Sequence, residues 1–428
     1  MDQGNTAFVL LCSALVLLMA PGLAFFYGGL VRSKSVISMM MMTFGTTGLI
    51  GVLWVLYGYT IAFSGAGTPG YVGIDGFLGL DWANIGLGGL LETPKGAAYP
   101  PIAFACFQAT FAIITVALVS GAIADRAKFG SWMLFAGLWG TIVYFPVAGW
   151  VFNFTLDGSD IVDGGWIAYG LGQVFGVNTI DFAGGTAVHI NSGAAALALA
   201  IVLGRRVGFA KGAHEPHNPP FVLLGAGLLW FGWFGFNPGS ELAADNTASV
   251  VFLNTLVAPC AGLLSWIAVE KIRHGKPTSI GAASGAIAGL VAITPACSAL
   301  LPTWSIVLGL LVGAACAFAI DLKYRFGFDD SLDVVGIHLV GGIIGTLYLG
   351  FFANGTGLFV GGDARQLLVQ AIAAGSVGVY SFGVTWVIGT VIQKTIGFRV
   401  RNADELAGVD LALHGESGYA YLDERARA

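Results

Sequence analysis

Six histidines occur in this 428-residue chain: His189, His214, His217, His274, His338 and His414. Four lie in polar stretches beside Lys, Arg, Glu or Pro. His189 stands in FAGGTAVHINSGAAALALAIV and His338 in VVGIHLVGGIIGTLYLGFF, both long apolar runs. A charged side chain at membrane depth costs about 2.5–3.5 kcal/mol on insertion scales, so an ionisable group there usually faces a bundle interior or a solute path. Two such residues, far apart in sequence, point to a shared intramembrane site. The plainer alternative is two unrelated buried histidines, each bonded to a backbone carbonyl. Neutral imidazoles can bond edge to edge, one ring donating and the other accepting. Such a pair could line a narrow path and handle a proton or a small polar solute. A zinc site would want three or four ligands. No Cys, Asp or Glu shares a helix face with either His, so no metal is expected.

Aromatic residues form the second constellation. AFACFQATFAII places Phe107 and Phe111 four apart, on one helix face. LLWFGWFGFNPGSE joins Trp233 and Phe236 to a helix-ending Asn-Pro-Gly and the hydroxyl of Ser240. Lipid-facing or interfacial rings are the usual account of such residues. Aromatic faces also attract cations, by about 2 kcal/mol when desolvated, so rings beside one hydroxyl suit a small cation that donates hydrogen bonds. Asp181 heads the His189 segment, where an acid caps free N–H groups. Such a cap orients the backbone around Ala183 and Gly184, whose carbonyls could then face a solute.

These residues need a membrane bundle to hold them. The chain is 56% hydrophobic and 10% charged, with a mean hydropathy of +0.81. A soluble globule has roughly 25% charged residues. The 65 glycines suit helices that approach closely in lipid. The net charge of −5 gives no reason to expect nucleic acid. Cys12, Cys106, Cys260, Cys297 and Cys316 fall in apolar runs, without a CxxC pair. MDQGNTAF has no Lys or Arg ahead of the first apolar run, unlike a signal peptide.

A span needs about 20 apolar residues. Eleven are read: 5–30, 36–63, 100–124, 130–153, 182–203, 220–238, 247–270, 280–300, 303–322, 334–353 and 365–394. The loops 64–99 and 154–180 are rich in Gly, Asp and Asn. The expected class is an all-α integral membrane protein, with a membrane domain at 1–395 and a polar tail at 396–428. Alternate loops and the tail carry 17 of the 19 basic residues, leaving Lys95 and Arg365 on the other side. The positive-inside rule then places the N-terminus outside and the tail in the cytoplasm of a cell-membrane protein. Eleven spans divide into spans 1–5, spans 6–10 and a final helix, which makes the five-helix repeats inverted. His189 in span 5 and His338 in span 10 are equivalent, each behind an Asp, Asp181 and Asp333. Transporters often place their site at such an interface near the midplane.

The motifs resemble the ammonium transporter (Amt/Mep/Rh) family, bacterial Amt type. The matching stretches are PGLAFFYGGLVRSKS (21–35), DFAGGTAVHINSG (181–193), GRRVGFAKGAHEPHN (204–218), GWFGFNPGSE (232–241), GKPTSIGAASGAIAGLVAITPAC (275–297), FDDSLDVVGIHLVGG (328–342) and HGESGY (414–419). The resemblance implies an eleven-helix homotrimer with a pore in each subunit and ammonium as substrate. His189 and His338 then correspond to twin pore histidines, and Phe111 and Phe236 to stacked rings closing the outer mouth. Ser240 and the Ala183 backbone belong to the recruitment site that Asp181 shapes. Phe107 and Trp233 are supporting pore aromatics, and Ser284 lies near the cytoplasmic exit. One position departs: Phe152 stands where bacterial members often carry Trp, with Trp150 two residues earlier. Phenyl is a weaker cation–π face than indole, so either external affinity falls or Trp150 substitutes through a shifted helix end. The loop 153–180 is long for the family. The tail resembles a segment that can dock a PII-type regulator.

The leading expectation is ammonium uptake without a cofactor. The alternatives are an ammonium sensor signalling through the tail, against which a short tail argues, and a Rhesus-like channel for NH3 or CO2. No nucleophile–base pair suggests an enzyme.

Overall fold

A computed structural model describes residues 1–68, 70–157, 160–209 and 215–419; Lys211, His214, Arg425 and Arg427 lie outside them. Ten helices are long and apolar enough to span a membrane. They are α1 (Gln3–Leu30), α2 (Val36–Phe63), α3 (Pro101–Ile123), α4 (Phe129–Phe152), α5 (Gly185–Leu203), α6 (Pro219–Gly239), α7 (Asn246–His274), α9 (Pro302–Phe326), α10 (Val335–Phe352) and α11 (Ala364–Thr395). The expected span at 280–300 is shorter. Helix α8 runs only over Ser279–Ile293, and Pro295 follows within turns up to Leu300.

Glycines set the packing, because lipid supplies no hydrophobic drive between helices. Along the α1–α6 contact, a Cβ on Gly225 would lie 2.2 Å from Phe26 N, and one on Gly235 2.6 Å from Cys12 O. Helices α5 and α10 cross at a reciprocal pair. Gly193 and Gly342 each stand four residues after a histidine. A Cβ on Gly193 would meet Leu339 N at 2.4 Å, and one on Gly342 the His189 Cβ at 3.1 Å. Gly193→Ala therefore drives a methyl into backbone and should lower the unfolding free energy by about 1–3 kcal/mol. Thermal unfolding in detergent measures it, and an unchanged midpoint would mean the crossing can widen freely.

The loops expected at 64–99 and 154–180 each hold a hairpin. β1 (Tyr71–Ile74) pairs antiparallel with β2 (Leu78–Asp81). β3 (Phe154–Asp157) pairs antiparallel with β4 (Asp160–Gly164), with a register irregularity at Thr155/Leu156. The two hairpins touch, since Trp166 N donates to Gly76 O at 2.9 Å. The opposite face carries most of the basic residues and the folded start of the tail. Within the tail, α12 (Asn402–Ala407) and α13 (Val409–His414) pack back on the bundle. Asp410 caps the start of α2 by accepting from Ile37 N at 3.0 Å and Ser38 N at 2.7 Å.

Candidate functional site

The crossing of α5 and α10 brings the two apolar-segment histidines together. Both rings are buried, and His338 Nδ1 lies 3.2 Å from His189 Nδ1. Each histidine sits in a wide turn with i→i+5 hydrogen bonding, over Gly185–Ile190 and Val335–Leu339. Such turns break the regular helical ladder and recur at functional sites. With both rings neutral, one Nδ1 donates and the other accepts, so the tautomers differ. The pair then offers one Nε2–H and one bare Nε2. The Nε2 of His189 is buried without a protein partner among the described residues.

The same capping device sits ahead of each turn. Asp181, eight residues before His189, accepts from Gly184 N at 2.9 Å, Gly185 N at 2.5 Å and Thr186 N at 2.8 Å, and also from the Thr186 hydroxyl. The counterpart before His338 is Asp330 rather than Asp333. It too precedes its histidine by eight residues, and it accepts from Val335 N, five residues on, at 2.7 Å. Asp333 turns away in left-handed backbone, φ 62°, to bind Lys323 Nζ at 2.6 Å. The Gly184 carbonyl does not face open space. It accepts from Val188 N and His189 N, both at 3.0 Å. Ala183 is fully buried beside it.

Aromatic rings continue the line from the histidines toward the hairpin face. Trp233 stacks on His189 with centroids 5.6 Å apart, and its Nε1 donates to Thr294 Oγ1 at 2.9 Å. Phe236 lies 6.4 Å from His189 and stacks on Phe111 at 4.0 Å, with the ring planes 13° apart. Phe107 supports Phe111 at 4.8 Å. Phe152 meets Phe111 edge-on at 6.1 Å. Ser240 Oγ donates to the Phe236 carbonyl at 2.9 Å. Trp150 does not substitute for Phe152. It stacks on Phe77 at 5.0 Å and donates Nε1 to the Phe77 carbonyl at 2.5 Å, away from Phe111.

Below the ring stack is a narrow, mostly apolar cavity of about 20 Å³ lined by both histidines, Trp233, Phe236, Tyr27 and Ile287. That is about the room one water needs, so a hydrated ion does not fit. Ser284 is buried one turn before Ile287 on α8 and is not part of this lining. Sequence reasoning missed Thr294, which anchors Trp233, and Tyr27, whose hydroxyl donates to Leu118 O at 3.0 Å. Tyr27 sits in the quoted FFYGG run, the one signal that could have pointed to it.

The Ammonium Transporter Family profile matches residues 7–419. The chain belongs to the ammonium transporter family. The ammonium transporter of Mycobacterium tuberculosis is 51% identical, over 98% of this chain and 91% of its own length. That of Bacillus subtilis is 44% identical, over 98% and 99%. Among solved structures, Mep2 of Candida albicans is 33% identical with a TM-score of 0.84, covering 98% of this chain and 91% of its own. The ten apolar helices and the family membership make this a multi-pass membrane protein.

Proposed function

We propose that this protein moves ammonium through each subunit, recruiting it at the aromatic mouth and passing it beyond the histidine pair. The observation that carries this reading is the His189–His338 contact inside a narrow apolar cavity, directly below the stacked Phe111 and Phe236. A cation at the mouth meets the ring faces of Phe111 and Phe152 and the Ser240 oxygen. The closed ring stack and the small cavity favour passage of the uncharged, desolvated ammonia, with the proton shed at the mouth. The two Nε2 positions then offer ammonia one donor and one acceptor. Phe107 and Trp233 hold the lining rings, the Asp181 cap sets the backbone at Ala183, and Ser284 stands toward the exit.

In this reading α8 completes eleven spans, and the two Asp–His turns mark inverted repeats of spans 1–5 and 6–10. The basic face lies in the cytoplasm of the cell membrane and the hairpins lie outside. Residues 1–395 form the transport domain. Residues 396–428 form a cytoplasmic tail that can dock a PII-type regulator. The assembly is a homotrimer. Transport is preferred over sensing because relatives at 51% and 44% identity are named transporters.

Purified protein on a solid-supported membrane tests the reading. Matching liposomes are expected to take up methylammonium, and a current on an ammonium jump reports whether the shed proton crosses as well. NH3 permeation with neither current nor methylammonium uptake would favour the gas-channel alternative. Phe152→Trp is expected to lower the methylammonium KM by roughly twofold to fivefold, since indole is the better cation face. An unchanged KM would remove Phe152 from the recruitment site.

A further inference from the structure

Beside the outer mouth a cavity of about 350 Å³ is lined by Thr179, Asp181, Ser240 and Glu241, with Phe154 and Leu156 of β3 as an apolar wall. Ser240 bonds the Phe236 carbonyl, so the cavity adjoins the ring stack. The Thr179 side chain is 8% exposed, and its hydroxyl has no protein partner among the described residues. Glu241 is held at the rim by a tight turn, in which Ser240 N, Glu241 N and Leu242 N donate to the carbonyls of Asn237, Pro238 and Gly239. Among the described residues no Lys or Arg forms an ion pair with it.

We propose that Glu241 is the counter-charge of the external recruitment site, extending that site outward into this cavity for a small, hydrogen-bond-donating monovalent cation. The proposal rests on the transport reading above and deepens it. The free Thr179 hydroxyl and the Ser240 oxygen accept N–H bonds from ammonium or methylammonium, while the carboxylate raises the local cation concentration. Ring faces alone hold a cation less well at Phe152 than at an indole, and a negative charge one step outward offsets that weakness.

The charge is conditional. Burial, together with the charge of Asp245 and a side-chain hydrogen bond to it, pushes the Glu241 carboxyl up to about 7. The groups facing it are Asp245 on its own connection, Asp181 across the cavity and the Cys297 thiol from the segment after α8. The carboxylate is therefore ionised above pH 7 and neutralised below it, while methylammonium stays protonated throughout that range.

The test is methylammonium uptake by liposomes carrying the full chain, at external pH 6 and pH 8, for wild type, Glu241→Gln and Glu241→Asp. Wild type is expected to show a KM roughly threefold to tenfold lower at pH 8 than at pH 6. Glu241→Gln should keep the higher KM at both values, and Glu241→Asp should restore the pH dependence. A pH-independent wild-type KM, or a Gln variant with the wild-type KM and pH profile, overturns the proposal. Wild-type liposomes that take up no methylammonium overturn the transport reading instead.

Discussion

In liposomes carrying His338→Ala, methylammonium uptake is expected to fall below roughly a tenth of the wild-type rate. The substitution removes one half of the 3.2 Å Nδ1···Nδ1 contact and leaves the His189 ring buried without its partner. A buried polar group stripped of its hydrogen bond costs about 1–3 kcal/mol, which corresponds to roughly fivefold to 150-fold in an equilibrium. The surviving imidazole has no neighbour to select its tautomer, so the paired donor and acceptor at Nε2 are lost together. His189→Ala should act alike, and the double variant should be little worse than either single one, because the two rings work as one unit. Equal recovery of folded protein by size-exclusion chromatography separates lost transport from lost structure. If the double variant still takes up methylammonium at the wild-type rate and excludes other cations, the pair does not line the path.

The pair was legible because hydrocarbon makes an ionisable side chain conspicuous. His189 and His338 stand out from any apolar run, and the structure brings their rings to 3.2 Å. The helices were legible for the same reason: α1 to α7 and α9 to α11 begin and end within a few residues of the apolar segments. What failed was local geometry decided by distant partners. Asp333 is nearer to the head of the His338 segment, yet Asp330 holds the cap, because Lys323 pulls Asp333 aside. Trp150 belongs to the β1–β2 hairpin through Phe77, a partner 73 residues away. The hairpins themselves are four- and five-residue strands, with a glycine inside β1 and β2, too short to show alternation. The wide turns at the histidines have no sequence signature of their own. They sit where the Gly193 and Gly342 crossing forces the two helices together.

Breaking the Arg206 cluster on the basic face should cost the fold about 3–5 kcal/mol, the usual penalty for removing one partner of a buried ion pair. Arg206 Nε donates to both oxygens of Asp329 at 3.2 and 3.0 Å, Nη2 adds a 2.9 Å contact, and Nη1 reaches Asp125 at 3.1 Å. Both carboxylates are buried, so Arg206→Ala leaves Asp125 with Arg32 at 3.5 Å and Asp329 with the neighbouring Arg126 charge alone. Arg206→Lys should recover only part of the loss, because an ammonium cannot span the fork. Burial pushes Asp125 and Asp329 up, but Arg206, with Arg32 beside Asp125 and Arg126 beside Asp329, more than offsets it and holds both below the usual carboxylate range. The folded pKa values are thus depressed relative to the unfolded value of about 3.9. Their contribution is complete above that value and is lost as pH falls through the folded pKa values. Without Arg206 the sign is expected to reverse, since burial then outweighs the remaining Arg32 and Arg126 charges and protonation relieves the two carboxylates. Thermal unfolding in detergent should therefore show a wide gap between wild type and Arg206→Ala at pH 7 that narrows toward pH 4. A gap of equal size at both pH values would show that Arg206 acts through packing and not through its charge. Asp329 precedes Asp330, the cap of the His338 turn, so loosening the cluster should also slow transport at temperatures well below melting. The basic face thereby connects to the histidine pair through two adjacent carboxylates, Asp329 in the Arg206 cluster and Asp330 capping the His338 turn.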